Sequence, residues 1–345
     1  MINSICIVRL SALGDVLMIV PLIRALQANL PHTKLTWVIS KPAFDLVEGM
    51  DGVEFILIDK PNGVQDYWRF KKQMHGRVFD VLLAPQASFR TNLLYPLIRA
   101  KRKIGYDEFR ANDAHGLFVN ERITPGLEHT LDGFLKFAQA LGITNWDIRW
   151  DLPISPADYE WVDQYLSKQR PILVINPAAS KPERSWPVAR YVDVLRQAQQ
   201  RWNVQVVITG GPSDFDKCLA EQITQVIPAT NLVGKTKLKQ LLALISKATV
   251  VLCPDTGPSH MATAVNTPVV ALHAVTNPLI SGPYLFQHLV VNRYPEAVEK
   301  VLGHKSIEEV WGQHVHGYEP MQLISVDEVM EKLATILDRC INSVS

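Results

Sequence analysis

The sequence predicts an α/β protein made of two doubly wound, Rossmann-like parallel-sheet halves in series. Three observations point there. Short β-rich apolar runs alternate with amphipathic helical stretches, the pattern of parallel sheets covered by helices. The alternation stops in a Trp-, Asp- and Pro-rich stretch near residue 150 and then starts again. A length of 345 residues suits about two domains, each able to bury its own core.

The elements follow in order. SICIVRL (4–10) reads as the first strand, and GDVLMIVPLIRALQANL (14–30) as a helix with apolar residues at 16, 17, 20, 23 and 26. KLTWVIS (34–40), EFILID (54–59) and FDVLLAP (79–85) read as further strands, and HTLDGFLKFAQALGI (129–143) as a closing helix. Residues 144–170 form the boundary, with a polar helix running to Arg170. PILVINP (171–177), NVQVVITGG (203–211), TVVLCPD (249–255) and TPVVALHAV (267–275) are the strands of the second half. A last amphipathic helix occupies 325–340. The expected domains are 1–155, 156–324 and a C-terminal helical segment, 325–345, that can pack back on the first half. Such sheets bind ligands at the carboxyl ends of their strands, so a cleft between two facing halves is the expected site.

Composition narrows the class. Hydrophobic residues at 47% and charged residues at 20% are an ordinary globular balance. The cysteines Cys6, Cys218, Cys253 and Cys340 lack metal-ligand spacing; Cys6 and Cys253 lie in apolar runs and are expected as buried free thiols in a reducing compartment. No secretory signal or spanning apolar run is apparent, so the reading is cytoplasmic, with any membrane contact peripheral. The net charge of +1 hides an asymmetry: residues 69–110 hold ten Lys/Arg against three Asp/Glu. That stretch favours an anionic partner or is a solvated basic face.

Four segments can carry chemistry. In RLSALGDV (9–16), Asp15 begins the first helix; it either stabilises that helix end or acts as a general base. In CPDTGPSHMATA (253–264), a strand gives way to a helix with Pro258 near its first position, and such a start attracts anions. Thr256 and Gly257 suit a diphosphate, Asp255 suits a cap or sugar hydroxyls, and His260 can donate to phosphate. In NPAASKPERSWP (176–187), Lys181 and Arg184 can neutralise a leaving diphosphate, or are solvated loop charges. In ITGGPSDFD (208–216), Gly210 and Gly211 allow close approach, with Asp214 or Asp216 accepting from a ribose; a plain tight turn also explains them. GxxxxGK[ST], GxSxG and DxD patterns are absent, and HVH (314–316) reads as a structural or surface loop.

RLSALGDVLMIVPLIRALQ, NPAAS…RSWP and PDTGPSHMATAVNTPVVALHAVTNP, in this order and spacing, resemble the lipopolysaccharide heptosyltransferases of glycosyltransferase family 9. The resemblance implies a GT-B fold and inverting transfer of heptose from ADP-heptose to Kdo-lipid A or the growing inner core, peripherally at the inner face of the cytoplasmic (inner) membrane and without a metal or other cofactor. It implies Asp15 as the catalytic base and Asp255, Thr256, Gly257 and His260 as donor-binding residues, with Lys181 and Asp214 beside them. Arg184 stands where the family usually has lysine, which exchanges a point cation for a planar fork. Arg110 matches a basic acceptor-binding position, and Arg69, Lys72, Arg90 and Arg102 join it as expected acceptor contacts. A further family arginine falls near His129, and residues 303–320 lie outside these motifs. The basic stretch favours addition of the first heptose, with the second or a later one still open. Other readings are a GT-B enzyme using another nucleotide sugar, a two-lobed binding protein, and a nucleic-acid-binding module; the last lacks interleaved aromatics, so no nucleic-acid partner is expected.

Overall fold

The computed structural model describes residues 2–303 and 305–342. The chain divides into two compact units, Met1–Pro153 and Ile154–Ser345. The division falls inside the 144–170 stretch, just ahead of the expected border after residue 155.

The first unit runs β1 (Ser4–Val8), α1 (Leu13–Asn29), β2 (Lys34–Ser40), α2 (Lys41–Val47), β3 (Val53–Ile58), α3 (Val64–Gln73), β4 (Phe79–Ala84), α4 (Phe89–Asn92), β5 (Ala100–Gly105), β6 (Glu121–Arg122) and α5 (Thr130–Gln139). Among the described residues its sheet is six-stranded in the order β3-β2-β1-β4-β5-β6, with every neighbouring pair parallel. Ile5, Cys6, Ile7 and Val8 are wholly buried, because the central strand is covered on both faces; hence its uninterrupted apolar run. Helices α1 and α5 pack together. Cys6, Val8, Leu82 and Ala84 form a core with Phe70 and Met74 from the α3 region.

Pro21 lies inside α1, where a proline removes the N–H that would bond the carbonyl four residues back. That carbonyl, of Leu17, accepts instead from the indole N–H of Trp150 at 2.8 Å. The boundary segment is thereby tied to the first unit, with the Arg24 guanidinium donating to the Trp150 carbonyl at 3.0 Å.

The second unit runs α6 (Pro156–Asp163), β7 (Ile172–Ile175), α7 (Val188–Trp202), β8 (Gln205–Ile208), α8 (Asp214–Thr224), β9 (Thr230–Asn231), α9 (Leu238–Lys247), β10 (Val250–Pro254), α10 (Gly257–Ala264), β11 (Val269–His273), α11 (Pro278–Ser281), β12 (Val291–Asn292), α12 (Tyr294–Leu302), α13 (Glu319–Gln322) and α14 (Val326–Asn342). Its six strands, again all parallel, follow the order β12-β11-β10-β7-β8-β9. The final helix was expected to be able to return to the first half. It packs instead on α7 and on β10, β11 and β12, where Val329, Leu333 and Leu337 enter the second unit's core. Trp202 fixes it from α7, its indole N–H donating to Asp338 at 2.6 Å. Residues 343–345 of the expected C-terminal segment, and His304 of the unplaced 303–320 stretch, lie outside the described residues.

Cys6 and Cys253 are buried free thiols; burial pushes Cys253 up to about 12. Among the described residues no helix is long and apolar enough to cross a membrane.

Candidate functional site

In the second unit, β10 ends at Pro254 and the chain turns through Asp255 and Thr256 into α10. Thr256 is the N-cap, but its side chain makes no capping bond; its hydroxyl donates back to the Pro254 carbonyl at 3.2 Å. The start of α10 thus has no side-chain cap from Thr256, whose carbonyl accepts the Ser259 N–H at 3.1 Å, and the proline sits where its missing N–H does no harm. His260 is buried in this helix.

Asp255 is buried and serves as a hub. The Arg184 guanidinium donates to its carboxylate at 2.7 Å and to its carbonyl at 2.5 Å. Thr276 donates to the same carboxylate oxygen at 2.8 Å, and Ser281 reaches it at 3.5 Å. His273 lies behind, its Nδ1 3.1 Å from the Thr276 hydroxyl. Burial raises the Asp255 pKa, but favourable electrostatics with His273, Arg184 and His260 and the Thr276 hydroxyl outweigh it, so the carboxyl lies below its ordinary value. Burial pushes His273 the other way, down, and favours its neutral form. His273 Nε2, Asn277 Nδ2 and Arg184 Nε are buried without a hydrogen-bond partner.

Arg184 reaches this hub because the NPAAS loop is braced from within: Asn176 donates to the Ala178 carbonyl at 2.8 Å, and the Ala179 N–H to Ser185 at 2.9 Å. Sequence reasoning set Arg184 facing a diphosphate directly; the structure holds it on Asp255. Lys181 is exposed on the same loop. His316 pairs with Glu183 at 2.7 Å, which brings part of the unplaced 303–320 stretch beside Arg184. Asp214 stands in solvent on the first turn of α8, 3.8 Å from Lys217. Gly210 and Gly211 make room for Asp216: a Cβ on Gly210 would meet its carboxylate at 2.7 Å, and Gly211 donates to it at 2.9 Å. The tight-turn explanation of those glycines accounts for this contact.

In the first unit, Asp15 lies on the first turn of α1. It accepts from the Ala12 N–H at 3.2 Å and pairs with Arg9. Arg9 is itself held by the Pro85 carbonyl at 2.6 Å and lies 5.4 Å over the Phe134 ring. Helix capping and a presented carboxylate thus coexist in one residue. Next to this turn, a cavity of about 380 Å³ is lined by Leu10, Ser11, Lys60, Gln86, Phe89 and Arg90, among others, at the carboxyl ends of β1, β3 and β4.

The basic stretch largely disperses on folding. Arg77 pairs with Glu54 at 2.7 Å, and Lys101 with Asp80 at 2.8 Å. Arg102 makes a two-pronged bond to Glu121 at 2.7 and 2.6 Å. Arg110 is enclosed by Asp107, Glu128 and the Gly126 carbonyl. The last two were expected to hold an acceptor; their donors are already engaged by carboxylates of the same unit. Arg90 lines the cavity, Arg69 lines a smaller adjoining one, and Lys72 lies over Trp68 on α3. His129, where a family arginine was expected, caps α5 by accepting from the Leu131 N–H at 3.1 Å. Lys60 and Gln86 were missed, since neither belongs to a spaced motif, and Thr276, although inside the PDTGPSH…VTNP segment, was given no role.

Over residues 67–310 the chain matches glycosyltransferase family 9 (heptosyltransferase). It is 38% identical over 334 residues, 96% of each chain, to the lipopolysaccharide core heptosyltransferase OpsX of Haemophilus influenzae. It is 26% identical over 288 residues to lipopolysaccharide heptosyltransferase 3 of Escherichia coli K12, covering 79% and 82% of the two chains. Among solved structures, a family 9 glycosyl transferase from Veillonella parvula aligns with a TM-score of 0.80 at 20% identity, over 98% and 97% of the chains. The E. coli heptosyltransferase WaaC with ADP aligns at 0.72 and 18%, over 96% and 99%; these two likenesses concern the fold. The chain is a glycosyltransferase with the two Rossmann-like sheets of the GT-B fold, and it belongs to family 9, the heptosyltransferases.

Proposed function

We propose that this enzyme moves a heptose from ADP-heptose to an acidic, Kdo-bearing lipid acceptor of the lipopolysaccharide inner core, with inversion and without a metal. The observation that carries the reading is the start of α10, where a helix lacking a side-chain cap meets the Arg184–Asp255 hub. A helix start of this kind suits the two phosphates of a nucleotide sugar. In the proposed chemistry, Arg184, His260 and the N–H groups around Gly257 stabilise the charge growing on departing ADP, supplying the positive field that a metal supplies elsewhere. Asp255 fixes Arg184 and offers its remaining acceptor capacity to sugar hydroxyls. Asp15 takes the proton of the attacking acceptor hydroxyl. Attack on the anomeric carbon opposite the leaving group inverts it. Lys60 and Arg90 at the first unit's cavity receive the acceptor's carboxylate or phosphate.

The relatives support this reading: OpsX and heptosyltransferase 3 are named for lipopolysaccharide, and WaaC was solved with ADP and with an ADP-fluoroheptose. The test is incubation with ADP-heptose and a Kdo-lipid A acceptor, with and without a chelator, reading product mass. Product gaining one heptose in both arms, lost in Asp15→Asn while ADP binding persists, is expected. Full turnover by Asp15→Asn removes the base; chelator-sensitive turnover removes metal independence.

A further inference from the structure

Helix α3 turns Phe70 and the following Met74 into the first unit's core, yet carries apolar side chains on its outer side. Val64 is 84% and Trp68 64% exposed, one helical turn apart and so on one face. Arg69, Lys71 and Lys72 are exposed on the same helix, with the Lys72 ammonium 5.8 Å from the Trp68 ring centroid. The acid of this helix, Asp66, is engaged by the N–H groups of Asn62 and Gly63 at 2.8 and 3.2 Å and by Arg69 at 3.6 Å, which leaves Lys71 and Lys72 as the helix's cations without an acid on α3. Tyr67 donates to the Arg90 carbonyl at 3.0 Å, and Arg90 to Asn62 at 2.8 Å. The surface therefore continues into the start of α4, where Phe89 is 62% exposed and, with Arg90, walls the cavity beside Asp15.

An indole and an aliphatic side chain among lysines and arginines match the headgroup boundary of an anionic bilayer. Aromatic rings settle at that depth, and each cation there gains from the negative surface potential. We propose that α3 with the start of α4 is a membrane-docking face that rests on anionic phospholipid. The choice of a bilayer as occupant rests on the lipid-linked acceptor of the preceding section and on the excess of cations over free acids on this face. With Phe89 and Arg90 shared by face and cavity, docking brings the cavity to the lipid surface, where an acceptor sugar enters without its lipid leaving the bilayer.

The test is sedimentation of the full chain with phosphatidylethanolamine vesicles with or without phosphatidylglycerol. Binding should require the anionic lipid. The variant Val64→Ser/Trp68→Ser/Lys71→Glu should partition at least about ten-fold less, having lost its interfacial side chains and reversed one charge. These three residues do not line the cavity, so turnover on a deacylated, water-soluble acceptor should be unchanged, which also shows that the variant folds. On acceptor embedded in anionic vesicles, kcat/KM should fall with the partitioning. Equal binding to both vesicle types, or a variant that sediments like the unsubstituted chain, overturns the proposal. Anionic-lipid binding lost in the variant, combined with no turnover on either acceptor by the unsubstituted chain, upholds docking while refuting the proposed donor and acceptor.

Discussion

Replacing Arg184 with methionine keeps most of the volume and removes the charge that Asp255 is built around. The two groups are 2.7 Å apart, with side chains 16% and 11% exposed. At an effective dielectric of ~20, a pair at that separation attracts by about 6 kcal/mol before the cost of desolvating both ions. Exposed pairs retain under ~1 kcal/mol of this, whereas breaking a buried pair costs ~3–5 kcal/mol. Thr276 still serves the orphaned carboxylate in the variant, so the lower end applies, about 3 kcal/mol. For a unit of this size that is a fall in Tm of roughly 6–12 °C. Urea unfolding of Arg184→Met, Asp255→Asn and the double variant measures the coupling. Each single change should be costly, and the double should cost less than their sum, because neither leaves a stranded ion once both are gone. Singles costing under ~1 kcal/mol with additive behaviour would place the pair in the class of solvent-screened contacts and remove the hub from the account.

His115 supplies a pH signature. Burial, then the nearby Arg122 charge, lowers it from 6.5 to about 4; its Nε2 accepts the Tyr106 N–H at 3.2 Å, leaving Nδ1 to face Asn92 at 2.8 Å. The unfolded chain therefore binds a proton that the folded chain refuses. Stability contributed by the neutral ring is intact above the unfolded value and falls as pH drops from 6.5 toward about 4, by up to ~1.4 kcal/mol per unit; His115→Gln should flatten that limb in denaturant titrations from neutral to acid pH. Gly105→Ala should cost about 1–3 kcal/mol, since the new Cβ would meet His115 Nε2 at 2.5 Å and Val119 at 2.8 Å; an unchanged unfolding midpoint would refute this. Arg102→Ala should leave acceptor KM unaltered and cost under ~1 kcal/mol, its pair being more than one-third exposed, whereas Arg90→Ala should raise acceptor KM several-fold in initial-rate measurements.

The fold was legible where burial is two-sided. β7 and β10 are apolar along their length, and β1 and β4 are so beyond Ser4 and Asp80 at their starts, because both faces are covered, and such runs can be read without any partner. β5 was not legible: AKRKIG puts three cations in one strand, and they are tolerated because Lys103 reaches the Tyr95 carbonyl and Arg102 reaches Glu121 on the short strand beside it. Those partners lie outside the strand, 8 and 19 residues away, so composition showed only a basic patch. The second unit's site was readable for a related reason: a strand end, a proline and a helix start are local features, and PDTGPSH contains all three. What the motif does not contain is Thr276, Ser281 or Glu183–His316, which arrive from other connections of the same sheet. Arg110 has partners that no motif announces. Its sequence position fits acceptor binding, yet Asp107 and Glu128 claim it, and only coordinates reveal such competition.

The way α14 finishes the second core bears on the order in which the protein is born. Leu173 at the beginning of that core and Leu337 near its end belong to one cluster, whereas the first unit's strands all lie before residue 123 and its tie, Trp150, follows soon after. During synthesis the amino-terminal unit has its whole complement of partners while later residues are still being added, and it can settle as a unit. The carboxyl-terminal unit must wait, its sheet flank bare along α7, until α14 has been made and covers it. A stalled or shortened translation product would therefore present a finished first unit joined to a sticky, half-covered second one.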